Sequence, residues 1–98
     1  MAVLSDDEVR NALAELEGWE RSGDAIVREF PFPGFSDAVA FVVRLAFDAE
    51  AANHHPDVDI RYNKVRVALS THSEGGITAK DVDLARAIQD RVPGDPQG

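Results

Sequence analysis

The chain has 98 residues, 44% apolar and 29% charged, and its 18 acidic against 10 basic side chains give a formal net charge of −8. That length makes one domain around one core, residues 1–98, and an acidic field with dispersed basic residues excludes direct contact with nucleic-acid phosphates. The absence of cysteine excludes disulfides and thiolate metal sites and fits a reducing, cytoplasmic setting; the longest apolar run, broken by Arg44, is too short to span a membrane, and no basic stretch of a secretory signal precedes the first acidic residues.

The first predicted element is a helix capped by Ser5. Glu8 completes a capping box, and Leu4 with Val9 has the spacing of a hydrophobic staple. Asp6 and Asp7 suit the positive end of the helix dipole. Val9, Ala12, Leu13 and Leu16 form one apolar stripe, and Gly18 stops the helix. Residues 19–21 and 25–32 then read as two strands around the turn Ser22-Gly23-Asp24. Ile26, Phe30 and Phe32 share a face, Trp19 is a packing residue, and Pro31 and Pro33 end the second strand or place it at a sheet edge.

Ser36 is expected to cap a long helix reaching about Asn53. Val39, Val42, Val43, Ala46, Phe47 and Glu50 lie near one face, and Phe41 and Leu45 widen the apolar surface. Such breadth predicts contact on two sides, one with a sheet and one with a partner subunit. Pro56 cannot continue the helix and pushes His55 out of helical geometry. Residues 58–62 and 65–71 alternate with period two, joined by Tyr62 and Asn63 as turn and packing residues. Val65, Val67 and Leu69 face the core, which puts His72 on the opposite side. Gly75-Gly76 makes a flexible turn. Thr78 caps the last helix with Asp81 at the capping-box position, and Ile77 with Val82 repeats the staple. Val82, Ala85 and Ile88 form its apolar face, and residues from Pro93 on form a loose tail. The order helix, two strands, helix, two strands, helix argues an α+β fold: a four-stranded antiparallel sheet with helices on one face.

All three histidines, His54, His55 and His72, fall between the end of the long helix and the end of the fourth strand. Glu50, Asn53 and His54 are spaced i, i+3, i+4 and share a helix face. His54 sits where the dipole favours a protonated ring, and Glu50 is placed to orient it. The plainest reading makes His54 and His55 helix-end caps and leaves His72 on the surface. A three-histidine metal site is a poor match, because adjacent histidines rarely hold one ion and the spacing fits no zinc pattern. Metal-free acid–base catalysis is the third reading, since imidazole titrates near neutrality and works in both directions.

Glu50-x-x-x-His54-His55-Pro56, Tyr62-Asn63-x-Val65, Leu69-x-Thr71-His72 and Gly75-Gly76-Ile77-Thr78 together resemble the pterin-4a-carbinolamine dehydratase family, over residues 19–92. The resemblance implies dehydration of a 4a-hydroxytetrahydropterin to quinonoid dihydropterin during tetrahydrobiopterin recycling, with no metal or organic cofactor. It implies His54, His55 and His72 as the catalytic residues; the roles we expect of them are His54 as donor to the leaving hydroxyl, His72 as the alternative donor or base, and His55 as the group that binds and polarises the ring. Glu50, Asn53, Ser70, Thr71 and Asp81 are the implied substrate-binding set, with Glu50 supporting the site. Asn53 stands where animal members carry an acidic residue, and Val58 where an aromatic residue is common; both departures bear on substrate affinity. The resemblance also implies a homodimer through strand pairing or a homotetramer through helix packing, for which Phe41 and Leu45 are the candidate contacts. The rivals it leaves open are a non-catalytic protein-binding or assembly module and an enzyme for a different pterin.

Overall fold

The alternating segments form the sheet that the pattern predicts. In the computed structural model, which describes residues 2–92, strands β1 (Glu20–Ser22), β2 (Ala25–Pro31), β3 (Asp57–Arg61) and β4 (Lys64–Leu69) pair antiparallel in the order β1-β2-β4-β3. Register places Ile26 opposite Leu69, Phe30 opposite Val65 and Val58 opposite Val67. One face is therefore apolar, while Glu29, Arg66 and Asp59 stand exposed on the other. Helices α1 (Asp6–Leu13), α2 (Phe35–Ala52) and α3 (Ala79–Gln89) contribute Val9, Phe41, Leu45, Val82 and Ile88 to the core that lies on the apolar face. The expected tail, residues 93–98, lies outside the described residues.

Both predicted capping boxes form, Ser5 with Glu8 and Thr78 with Asp81. Helix α1 ends at Leu13 with Ala14 as its C-cap, short of the expected stop at Gly18; Gly18 instead closes the turns that follow, at φ 89°, and Arg28 packs so close that a Cβ there would meet its Nε at 2.8 Å. Pro31 ends β2 rather than marking an edge: β2 is an inner strand, and the next N–H, from Phe32, bonds the Asn63 carbonyl at 2.8 Å. Asn63 returns a side-chain bond to the Phe32 carbonyl, also 2.8 Å. Exposed Tyr62 takes the left-handed conformation of this turn, with φ 53°.

The long helix departs from expectation at its start and in its orientation. Its N-cap is Gly34, without a side-chain cap bond, and Ser36 lies inside the first turn. The face turned to the sheet is Ala38, Phe41, Leu45 and Ala49. Phe35, Val43 and Phe47 point outward, 56%, 52% and 68% exposed. An apolar surface wider than one stripe fixes no orientation by period alone; aromatic packing selects it. The Phe41 ring sits 4.8 Å from Phe30 and 5.0 Å from Phe32, and Trp19 meets Phe30 edge-on at 6.0 Å. Phe41 and Leu45 are thus core residues and not candidates for a subunit contact.

Phe41→Ala is expected to cost about 3–5 kcal/mol, because a fully enclosed ring is replaced by a cavity. Urea unfolding followed by tryptophan fluorescence measures it; a loss below ~1 kcal/mol would show that the aromatic cluster does not seat α2.

Candidate active site

The α2 terminus sets the first histidine. Asn53 takes the left-handed conformation (φ 49°), and the His54 N–H reaches back to the Ala49 carbonyl at 3.1 Å. This is a helix ending in which the chain reverses sharply. It turns the His54 ring inward, toward the start of α3, and leaves His55 outside.

At that start lies Asp81, fully buried. Its Oδ1 meets His54 Nε2 at 2.5 Å. Its Oδ2 accepts two bonds of 2.9 Å, from the Thr78 N–H and from the Thr71 hydroxyl. Thr71 and Thr78 are themselves buried, with hydroxyl oxygens 2.7 Å apart. Three donors surround the carboxylate, and this satisfies a group that would be costly to bury unpaired. The His54 side chain is 11% exposed.

His55 pairs with Glu50, Nε2 to Oε2 at 2.6 Å, with both side chains largely in solvent. Glu50 therefore orients His55 and not, as its helical spacing suggested, His54. The third histidine arrives from the sheet. Thr71 pairs across its loop with Gly76, and the chain between them forms a single 3₁₀ turn, His72–Glu74, closed by Gly75 at φ 76°. The amino-terminal segment braces this loop from outside: the Leu4 N–H bonds the Ile77 carbonyl at 2.8 Å. Gly76 accommodates that approach, since a Cβ there would lie 2.9 Å from Val3 Cγ1.

The result is an open cleft of about 310 Å³ walled by His54, His55 and His72 together with Asn53, Ser70, Thr71, Ser73 and Lys80. Of the substrate-binding residues expected from sequence, Asn53, Ser70 and Thr71 line this cleft, while Glu50 and Asp81 stand behind His55 and His54. Ser73 and Lys80 were not anticipated. Nor was the His54–Asp81 contact, which joins residues 27 apart in sequence; the capping box gave away the position of Asp81 but not the use of its second oxygen. Among the described residues no group of three His, Asp or Glu is arranged to hold a metal ion.

Comparison with known proteins is consistent along the whole described chain. The family model for pterin 4 alpha carbinolamine dehydratase matches residues 2–91. A Roseiflexus castenholzii protein named "Putative pterin-4-alpha-carbinolamine dehydratase" is 53% identical over 91 residues, covering 93% of this chain and 98% of its own. A Mycobacterium sp. (strain KMS) protein of the same name is 54% identical over 90 residues, covering 92% and 96%. Among solved structures, a transcriptional coactivator/pterin dehydratase from Brucella melitensis superposes with TM-score 0.89 at 39% identity, covering 92% of this chain and 98% of that one. A pterin dehydratase-like protein described as a RuBisCO assembly factor of the alpha-carboxysome has TM-score 0.62 at 17% identity, over 79% and 89%, a likeness of fold alone.

The two histidine–carboxylate contacts differ most in burial, and their stabilities should differ accordingly. Asp81→Ala strands three buried donors and is expected to cost about 3 kcal/mol or more. Glu50→Gln, at an exposed pair, should cost no more than about 0.5 kcal/mol. Urea midpoints at neutral pH test this; equal losses would contradict the ranking.

Proposed function

The chain belongs to the pterin 4 alpha carbinolamine dehydratase family, and on that premise we propose that it is a hydro-lyase converting 4a-hydroxytetrahydropterin to quinonoid dihydropterin and water. The observation that carries the proposal is the convergence of His54, His55 and His72 on one cleft, with His54 held by a buried carboxylate. The C4a hydroxyl leaves as water only when a proton reaches it, and the N5–H proton must depart as the C4a–O bond breaks. Imidazoles on the cleft walls can supply the first proton and take the second.

His54 is the donor to the leaving hydroxyl. Its ring is fixed, and the Asp81 charge beside it supports the imidazolium that gives up the proton. His72, from the sheet side, is the base at N5 or the alternative donor, and His55 binds and polarises the ring. Asn53 and Ser70 are the cleft-lining polar side chains for the amide-like edge of the pterin. Thr71 serves mainly as wall, because its hydroxyl is committed to Asp81 and Thr78. Glu50 and Asp81 act through the histidines they hold. No helix among the described residues is long and apolar enough to cross a membrane, and we place the reaction in the cytoplasm, within tetrahydrobiopterin recycling.

A homo-oligomer completes this reading. It is supported by the outward row Phe35, Val43 and Phe47, which follows the i, i+4 ridge of α2 and exposes apolar surface along one line. The proposed partner is a second copy of the chain.

Stopped-flow dehydration of synthetic 4a-hydroxytetrahydropterin tests the function. The wild type should accelerate the reaction with or without EDTA, and His54→Ala should lose about 10²-fold or more in kcat. A wild-type protein no faster than the spontaneous reaction would overturn the proposal and favour a protein-binding role. A near wild-type rate for His54→Ala would remove His54 as the donor.

A further inference from the structure

The hydrogen bonds behind His54 run in one direction, and that direction can be read from what each group is able to donate. The Thr78 hydroxyl oxygen accepts the Lys80 N–H at 3.2 Å. Asp81 Oδ2 accepts the Thr78 N–H and the Thr71 hydroxyl. Thr71 has a single hydroxyl hydrogen, and it is spent on Asp81. The hydrogen in the 2.7 Å contact between the two hydroxyls therefore belongs to Thr78. A carboxylate supplied in this way offers only lone pairs at Oδ1, so the hydrogen in the contact with His54 sits on Nε2. Asp81 and Thr78 are fully buried and Thr71 nearly so, which leaves little room for water to reverse the chain. The aligned N–H groups at the start of α3 polarise it in the same sense.

From this we infer that Thr78, acting through Thr71 and Asp81, fixes neutral His54 as the Nε2–H tautomer and makes Nδ1 the nitrogen that exchanges the proton in the cleft. Nδ1 has no protein partner among the described residues, and the ring lines the cleft. Thr78 is then a positioning residue for the reaction as well as a helix cap. It touches no substrate and acts three hydrogen bonds away from Nδ1. The catalytic consequence rests on the dehydratase reading; the tautomer does not.

The test combines ¹⁵N NMR of histidine-labelled protein, at a pH where His54 is neutral, with steady-state kinetics of dehydration. The variants are Thr71→Val, Thr78→Val, Thr78→Ser and, as a control, Ser5→Ala, which removes the equivalent capping hydroxyl from α1, a group that bonds only Glu8 and does not line the cleft. In the wild type the His54 hydrogen should reside on Nε2, with Nδ1 bare. Thr71→Val leaves the α3 cap intact and Thr78→Val removes it, yet both should give a mixture of tautomers. Both should also lower kcat on the order of tenfold, with KM little changed. Thr78→Ser should recover the single tautomer and the rate, and Ser5→Ala should move neither. If Thr78→Val does not fold, Thr71→Val decides. A wild-type His54 protonated on Nδ1 would overturn the inference, and so would valine variants whose His54 signals match those of Ser5→Ala. A protein without dehydratase activity would defeat the functional reading separately, since the tautomer is observed with no substrate present.

Discussion

The buried carboxylate of Asp81 is the constraint around which the functional end of the molecule is organised. A charged group with no solvent contact is tolerated only when every lone pair that matters finds a donor. Here the donors come from three places: the start of α3, the end of the sheet and the end of α2. Satisfying one side chain therefore fixes three chain segments relative to one another. The same requirement explains why Thr71 and Thr78 are buried hydroxyls, although apolar residues of similar size would fit a helix–sheet junction. Removing either leaves an acceptor short, and an unsatisfied acceptor costs more than the missing bond would have contributed.

Burial also separates the two neighbouring histidines. His54 and His55 are adjacent and each faces a carboxylate at closely similar distance, yet the environments differ. The His55–Glu50 pair lies in water, where solvent screens the attraction and both side chains retain rotamer freedom, so the contact biases His55 weakly. The His54–Asp81 pair lies where little screens it, and the ring has one orientation. A reaction that requires one proton delivered to a defined oxygen and another accepted at a defined nitrogen benefits from this asymmetry, with one fixed group and others able to adjust as the ring binds. The acidic surface does not oppose the proposed reaction, since a pterin ring is neutral and needs no electrostatic steering.

Much of the architecture was legible because it rests on local rules. The two capping boxes, the strand alternation and the end of α2 ahead of Pro56 depend on residues within a few positions of one another, and the structure has them. The choice of face on α2 was not legible. Phe41 and Phe47 are equally apolar, and only the rings of Phe30 and Phe32, brought from another element, decide which one is buried. Ser36 shows the same limit: it is a good capping residue that loses to Gly34, whose extended conformation ends the preceding Pro33 segment and starts the helix two residues earlier. At the site, the histidines were legible from their clustering and from the resemblance. The partner of His54 was not, because helical spacing pointed to Glu50, whereas the sharp reversal at Asn53 turns the ring to the opposite side, toward a residue 27 positions away.

Using a helix cap as the orienting group of the proposed proton donor has a consequence for how stability and activity are coupled. Asp81 serves both purposes through different oxygens, Oδ2 for the helix and Oδ1 for His54, so any change at that position alters folding and chemistry together. Thr78 is coupled in the same way, since its hydroxyl caps α3 and feeds the chain to Asp81. Thr71 is different. It belongs to neither helix, and its hydroxyl contributes to the orientation of Asp81 without itself making a capping bond. The network therefore contains one position at which the two roles come apart, and that position decides whether the buried polar cluster stabilises a helix that happens to abut a histidine or holds that histidine for its reaction.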